Sequence, residues 1–362
     1  MPEREDAARL SQVKTGRLLR VIVFALAAVP AFGQGCISAA RQGVAMLDAL
    51  CERSDGHSAR RRYPWEVTLD YRYLPSHRHF VGTVEQVQRA ILGNEIVNKV
   101  HGFNLTASYD INPRWTVTAS LPVLKMYRDQ LYVPRMETSF VSQGDATVGA
   151  RVWLWRPPTE SMGNIGIGFA AKLPTGKYRV TSPATDRAGN PIVATVDQSI
   201  QPGDGGTGFL INLSAFHPTP LRTMVYFQGL YVFSPRSANG VSTFRTRPGE
   251  EVFSVTDFYL YRGGISRPVP KVRGLSMSFG GRIEGVPVRD AIGKSDGFRR
   301  PGYAISADPG LMYVRGAYMF SVNVPWAVER NRKRSVSDYR NRIHGDAAFA
   351  DYSLLIGVSR RF

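Results

Sequence analysis

Large apolar residues recur at every second position through most of this 362-residue chain. The first run, Trp65 to Tyr73, alternates large apolar residues with Glu66, Thr68, Asp70 and Arg72. A period of two puts the two sets on opposite faces of a β-strand. Eleven further runs lie near 102–110, 115–123, 146–154, 164–173, 209–215, 225–233, 252–262, 275–284, 303–314, 317–325 and 352–362. The pattern predicts twelve strands of about ten to thirteen residues, long enough to cross a bilayer when tilted.

The connections between these runs alternate in length. The long connections are 80–97, 127–144, 174–203, 235–250, 287–302 and 327–346, and the short ones are 111–114, 156–162, 217–221, 263–272 and 315–316. Outer-membrane barrels have long outer loops and short periplasmic turns, and they close so that no strand edge meets lipid. A soluble β-sandwich has no reason to alternate strictly. We therefore predict an all-β fold: a transmembrane, antiparallel, up-and-down β-barrel of about 12 strands over residues 63–362, with both termini in the periplasm.

The N-terminal part has a different pattern. Residues 1–33 combine scattered basic residues, an apolar core and Ala31-Phe32-Gly33, which is typical of a cleaved signal peptide. Residues 34–62 contain both cysteines of the chain, Cys36 and Cys51. Export of the chain to an oxidising compartment and its even number of cysteines favour a disulfide between them. The apolar spacing between them predicts a short helical periplasmic segment before the barrel.

The last run ends on an aromatic residue at the C-terminus. Its apolar positions are Tyr352, Leu354, Ile356, Val358 and Phe362, and Arg360 interrupts the set. This stretch is similar to the closing strand of bacterial outer-membrane proteins, whose terminal aromatic residue the barrel-assembly machinery recognises. It predicts that residues 65–75 pair with this strand to close the barrel.

The net charge of +17 favours an anionic partner. Removal of the signal takes five Lys or Arg and three Asp or Glu with it, and leaves +15. No nucleic-acid-binding motif is present, so we expect no nucleic-acid partner. The 330–334 cluster in the last long loop predicts contact with lipopolysaccharide phosphates; the alternative is an ordinary solvated surface.

We find no motif that predicts catalysis, a cofactor or a metal site. The six histidines form no evident pair with a serine on one strand face, no Gly-x-Ser-x-Gly occurs, and His77 with His79 is weak as a metal pair. An outer-membrane hydrolase is therefore the least supported function. Several aromatic residues, Trp153 among them, fall near the periplasmic strand ends, where aromatic girdles occur.

Charged residues on the polar strand faces are the candidate functional set. If the apolar faces meet lipid, the lumen receives Asp70, Arg72, Asp110, Arg151, Lys172, Arg282 and Glu284. Four basic and three acidic groups make it mildly positive, and such charges set selectivity in a pore. The pattern predicts a passive channel for small solutes that prefers anions or polar aromatics. The alternative is that these charges pair across the lumen and form a non-conducting structural or adhesive barrel.

Several segments resemble the meta-pathway phenol-degradation-like family of outer-membrane proteins. They are Asp70-Tyr71-Arg72-Tyr73 with residues 79–83, and residues 144–151, 173–176 and 202–208. The resemblance implies a transporter barrel that passes small organic, often aromatic, compounds across the bacterial outer membrane.

Overall fold

A computed structural model describes residues 64–130, 135–155 and 160–362. The predicted signal peptide, the helical segment and the Cys36–Cys51 disulfide lie outside the described residues. Among the described residues, no helix is long and apolar enough to span a membrane.

Twelve antiparallel strands form one closed sheet within the described part of the chain. Eight are continuous: β1 (Trp65–Val81), β2 (Ile96–Asp110), β3 (Trp115–Gln130), β5 (Asn164–Lys172), β6 (Gly208–Thr219), β7 (Thr223–Phe233), β8 (Phe258–Pro268) and β9 (Leu275–Val286). Four have two segments: β4 (Met136–Gln143, Thr147–Trp153), β10 (Gly302–Ala307, Gly310–Arg315), β11 (Tyr318–Asn323, Trp326–Arg332) and β12 (Ala347–Ala350, Leu354–Arg361).

The last strand closes the barrel against the first. β12 pairs with β1 from Glu66↔Arg361 to Tyr73↔Leu354, and the other edge of β1 pairs with β2 from Trp65↔Tyr109 onwards. The Phe362 backbone N–H donates to the Trp65 carbonyl at 2.9 Å. The predicted pairing of the two ends is therefore confirmed.

The two faces of the wall differ in polarity, as the period of two predicts. Leu69 and Leu105 are each about half exposed on the outside, whereas their neighbours Asp70 and Thr106 are buried on the inside. On the inner wall, Asn104, Thr106 and Ser120 form a hydrogen-bonded group, with the Ser120 hydroxyl donating to Asn104 Oδ1 at 2.7 Å. The wall thus presents apolar side chains to lipid and polar ones to the lumen.

Three connections differ from the prediction. The first residues of the expected 327–346 loop are strand, because β11 continues to Arg332. The expected long loop at 127–144 is largely strand, because β3 continues to Gln130 and pairs with Met136 at the start of β4. The expected eighth strand at 252–262 is shifted: β8 runs from Phe258 to Pro268, and Val252–Ser254 instead pairs with Ala238–Ser242 in a loop. Gly264 falls in the predicted 263–272 connection, yet it lies inside β8, where a Cβ would collide with the Phe279 carbonyl of β9.

The outer loops carry small elements of their own. They include helix α1 (Gln88–Ile91), helix α2 (Val336–Arg340), the short strand Val84–Glu85, the hairpin Thr181–Thr185 with Pro191–Thr195, and the 3₁₀ turn Gln198–Ile200. The turn between β6 and β7 contains the 3₁₀ turn Pro220–Arg222. Ser335 and Asp338 cap α2 reciprocally and so fix its start. By the rule that places long loops outside the cell, these loops surround the outer mouth of the barrel.

Candidate functional site

The seven charged residues proposed for the lumen all occupy inward-facing strand positions. Asp70, Arg72, Lys172, Arg282 and Glu284 are buried. Asp110 and Arg151 are half-buried near the periplasmic strand ends. They do not form one ring: they fall into two clusters and three separate positions along the barrel axis.

The first cluster crosses the lumen. The Arg72 guanidinium on β1 donates to Glu284 Oε1 on β9 at 2.8 Å, and the other oxygen of Glu284 accepts from Arg282 at 2.6 Å. Three strands lie between β9 and β1 on the shorter way round, so this ion pair bridges positions of the wall that are not adjacent. The bridge itself therefore contains two arginines and one glutamate.

The second cluster ties a long loop to the wall. The Lys172 ammonium at the end of β5 donates to both carboxylate oxygens of Asp204, at 2.6 and 2.7 Å, and lies 3.6 Å from Asp145. Asp145 also accepts from the Gly176 N–H at 3.0 Å. Both ends of the 173–207 loop are thereby fastened to one buried charge group.

This loop folds back against the inner wall. Apolar loop residues pack against inward-facing residues of β1 to β4, forming a buried cluster of Leu74, Val100, Leu124, Met126, Met136, Ala184, Ala194, Val196 and Ile200. The sequence predicted a polar lumen and missed this contact. The available signal was local: Tyr73-Leu74 and Val123-Leu124 are apolar on both strand faces, which a strand exposed to water on one side does not need.

Two of the three remaining residues have local partners, and the carboxylate oxygens of Asp70 form no hydrogen bond within the described residues. Asp110 accepts a hydrogen bond from Thr116 at 2.6 Å and lies 3.7 Å from Arg361. The Arg151 guanidinium lies 4.9 Å from the ring centroid of Trp153. Asp70 faces Asn104 on the adjacent strand. None of the three takes part in the bridge between β1 and β9.

Trp153 does not belong to a lipid-facing girdle, contrary to the prediction. It is 1% exposed and packs inside the barrel with Phe216, Met224 and Tyr226. Its position in the strand explains the difference, because Trp153 has the same inward parity as Arg151. Trp65 and Trp115, by contrast, are about half exposed on the outside.

The 330–334 cluster is mostly unavailable to lipopolysaccharide. Arg330 and Arg332 are buried, and they pair with Asp351 at 2.5 Å and Asp338 at 2.9 Å. Within the cluster, only Arg334 is exposed. Binding of lipopolysaccharide by this cluster stays a prediction, and it depends chiefly on Arg334.

A cavity opens at each end of the barrel. At the periplasmic end, a cavity of about 900 Å³ is bounded by the 269–274 turn and by inward residues of the wall, including Met224, Ser266 and Met312. At the outer end, a cavity of about 100 Å³ lies between the β1–β3 wall and the outer loops, beside an open cleft of about 820 Å³. The bridge and the inward-folded loop lie between these ends.

Arginines outnumber carboxylates in the lining of the outer cavities, and they lower the pKa values of two loop carboxylates. Burial would raise the pKa of Asp197, but Arg128 and Arg300 hold it well below its ordinary value. Burial would likewise raise the pKa of Asp346, but the hydrogen bond and charge of His79, together with Arg89, lower it to about 2. Both carboxylates therefore remain ionised at neutral pH. No local pattern in the sequence indicates these pairs, because their members are far apart in the chain.

Solved structures share this architecture. An outer-membrane channel from Pseudomonas putida F1 superposes with a TM-score of 0.57 over 83% of this chain and 96% of that one, at 10% identity. The fold is that of a bacterial outer-membrane β-barrel. The predicted fold class and membrane location are confirmed.

More distant matches are of the same general kind. The β-domain of the Bordetella autotransporter BrkA matches with a TM-score of 0.43 at 10% identity, covering 83% of this chain and 100% of that domain. The Pseudomonas putida toluene transporter TodX matches at 0.40 and 8% identity, covering 83% and 90%. No family model and no curated protein matches the sequence. The resemblance to the phenol-degradation-like family and the absence of catalytic and cofactor-binding residues therefore stay predictions.

Proposed function

We propose that this protein is an outer-membrane channel for the passive passage of small organic solutes, with a preference for anions. The observation that carries the proposal is the pair of cavities at the two ends of one polar lumen. Between them a bridge of two arginines and one glutamate, Arg72–Glu284–Arg282, crosses the lumen. Fixed positive charge in a narrow passage raises the local concentration of anions.

A non-conducting structural or adhesive barrel is the second candidate. The same bridge and the apolar packing of the 173–207 loop favour it, because both occupy part of the lumen. Twelve strands enclose a narrow interior that side chains can fill to a large extent. In that case the charges would serve stability rather than selectivity.

Conductance separates the two candidates. A channel inserted into planar lipid bilayers gives discrete current steps, and under a salt gradient its reversal potential indicates anion preference. Arg282→Gln and Arg151→Gln each remove positive charge from the lumen and should shift that potential towards cation preference. Arg315→Gln, at the exposed periplasmic end of β10 and outside the cavity lining, is the matched control. Absence of steps from a folded, heat-modifiable barrel contradicts the channel and favours the structural role.

Solute range is measured separately by liposome swelling. Aromatic acids, sugars and inorganic anions of similar size should enter at different rates if the lumen selects by charge. Equal rates for neutral and anionic solutes would contradict the anion preference while leaving the channel intact.

A further inference from the structure

The outer cavities form one continuous basic recess, here called the outer vestibule. The cavity of about 100 Å³ and the cleft of about 820 Å³ share Arg245, Arg247, Gly345 and Asp346 in their linings. The smaller cavity has room for a few waters or one anionic head group. The larger cleft leads outwards from it and has room for the body of a small organic molecule.

Positive charge exceeds negative charge in this vestibule. Six arginines lie in or next to it, Arg89, Arg128, Arg245, Arg247, Arg300 and Arg332. Four carboxylates accompany them, Asp197, Glu250, Asp338 and Asp346. Six against four leaves two positive charges when both nearby histidines are neutral.

The carboxylates are already bound by arginine. Asp197 accepts two hydrogen bonds from Arg300, both at 2.7 Å, and lies 3.6 Å from Arg128. Asp338 pairs with Arg332 at 2.9 Å, and Asp346 pairs with Arg89 at 2.6 Å. The low pKa values of Asp197 and Asp346 reflect the same positive surroundings.

Arg245 and Arg247 line both the smaller cavity and the cleft, and so they lie where the two meet. Arg245 contacts Glu250 at 3.5 Å. Arg247 is exposed, and no side chain of the described residues forms an ion pair with it. Arginine is suited to such a site because its planar guanidinium can donate two parallel hydrogen bonds to a carboxylate.

An aromatic ring orients the guanidiniums. Phe298 lies in the wall of the smaller cavity, with the Arg245 guanidinium 3.9 Å and the Arg300 guanidinium 4.8 Å from its ring centroid. Cation–π contacts of this kind restrict the two side chains. The vestibule therefore presents partly ordered donors.

We propose that the outer vestibule binds small organic acids, with their carboxylate held by Arg245 and Arg247 and their body in the adjoining cleft. This names the solute class and the recruiting residues of the proposed channel, and so it rests on that function. Arg128, Arg300 and Arg332 have a supporting role: they are paired with Asp197 or Asp338 and add positive potential.

Direct binding to the purified full-length barrel tests the site without requiring conduction. Benzoate, benzyl alcohol and inorganic phosphate are titrated calorimetrically against the protein in detergent. Benzoate should bind, benzyl alcohol should not, and benzoate affinity should fall as salt rises. The double variant Arg245→Gln/Arg247→Gln should lose roughly tenfold or more in affinity, because charge-assisted hydrogen bonds are lost.

Two controls keep the result interpretable. Arg334→Gln removes an exposed outer-loop arginine outside the vestibule and should bind benzoate like the wild type. Arg245→Lys/Arg247→Lys preserves charge and should keep part of the affinity. Heat-modifiable mobility on a gel establishes that each variant is folded.

The outcomes separate this inference from the channel itself. Equal benzoate binding by the double glutamine variant, or equal binding of benzyl alcohol, overturns the site. Tighter binding of phosphate than of benzoate overturns the organic-acid assignment. Silent bilayers together with benzoate binding that depends on the two arginines leave the site standing and overturn the channel. Conduction without benzoate binding overturns the site alone.

Discussion

Glu284 joins two arginines inside the barrel, and its replacement should be costly. Glu284→Gln leaves Arg72 and Arg282 buried without their carboxylate, and breaking a buried pair costs about 3–5 kcal/mol. We expect the free energy of unfolding, measured by guanidinium titration in lipid vesicles, to fall by that order.

Two further variants locate the effect. Glu251→Gln, an exposed carboxylate of an outer loop, should have little effect. Glu284→Gln/Arg282→Gln should recover part of the loss because one uncompensated cation is removed. Wild-type stability of the single Glu284→Gln variant would show that the bridge is not energetically significant.

Asp346 gives the outer vestibule a predictable acid sensitivity. Its pKa is about 2 in the folded protein against an ordinary 3.8, so its ionised form is favoured by folding. The resulting stability, about 2 kcal/mol, is fully present above the ordinary pKa and is lost as pH falls through the folded pKa. The stability gap between wild type and Asp346→Asn should therefore be constant at neutral pH and close between about pH 4 and pH 2.

The control for this profile is Asp296→Asn, which changes an exposed loop carboxylate. Its stability should follow that of the wild type from neutral pH downwards. A gap for Asp346→Asn that persists unchanged to pH 2 would contradict the role given to His79 and Arg89.

At the scale of elements, the closing strand combines a lipid-facing row with one charged position. Val358, Arg360 and Phe362 all face outwards, and the Arg360 guanidinium lies 4.5 Å from the Phe362 ring centroid. Near the periplasmic rim a long basic side chain can reach headgroup phosphates. The charge of Arg360 therefore lies at a position of the lipid-facing row where it costs little free energy.

Deletion of Phe362 should impair barrel assembly more than Arg360→Leu does. The deletion removes both the terminal aromatic and the N–H that bonds Trp65, whereas the substitution keeps the pairing intact. The fraction of heat-modifiable barrel in outer-membrane preparations measures this. Equal fractions from the two variants would contradict the role assigned to the terminal residue.

The length of the 173–207 loop could be predicted from the sequence, but the path of the loop could not. Lys172 and Asp204 are 32 residues apart and Asp145 lies on an earlier strand, so their meeting depends on the loop returning to its starting point. Tyr73-Leu74 in β1 and Val123-Leu124 in β3 are apolar on both strand faces. They indicated only that an apolar segment covers the inner wall.

At the scale of the whole molecule, the outer surface of the wall is a continuous apolar band. Leu105 lies in its middle, half exposed on β2, and arginine near the bilayer midplane costs about 2–4 kcal/mol. Leu105→Arg should therefore lower the amount of folded barrel recovered from membranes. The matched control is Thr118→Arg, which faces the lumen from β3. Equal recovery of the two variants would contradict the assignment of faces.

The basic residues that produce the net charge of +17 are not confined to the protein surface. Several arginines are buried in ion pairs, among them Arg72, Arg262, Arg282, Arg299 and Arg332. A large part of the basic charge therefore lies inside the barrel and around its outer mouth. In the proposed channel, charge at this location would act on solutes rather than on neighbouring lipopolysaccharide.

The sequence by itself determined the number of strands and most of their positions, the two faces of the wall, the closure by the last strand and the alternation of long and short connections. Period and loop length are properties of consecutive residues, so no distant contact is needed to read them. Only the tertiary structure decided which charges meet. Arg72 and Glu284 are 212 residues apart, and Arg245 reaches Phe298 only because two outer loops converge. Such contacts depend on the circumference of the closed sheet and on loop paths, which no local pattern encodes.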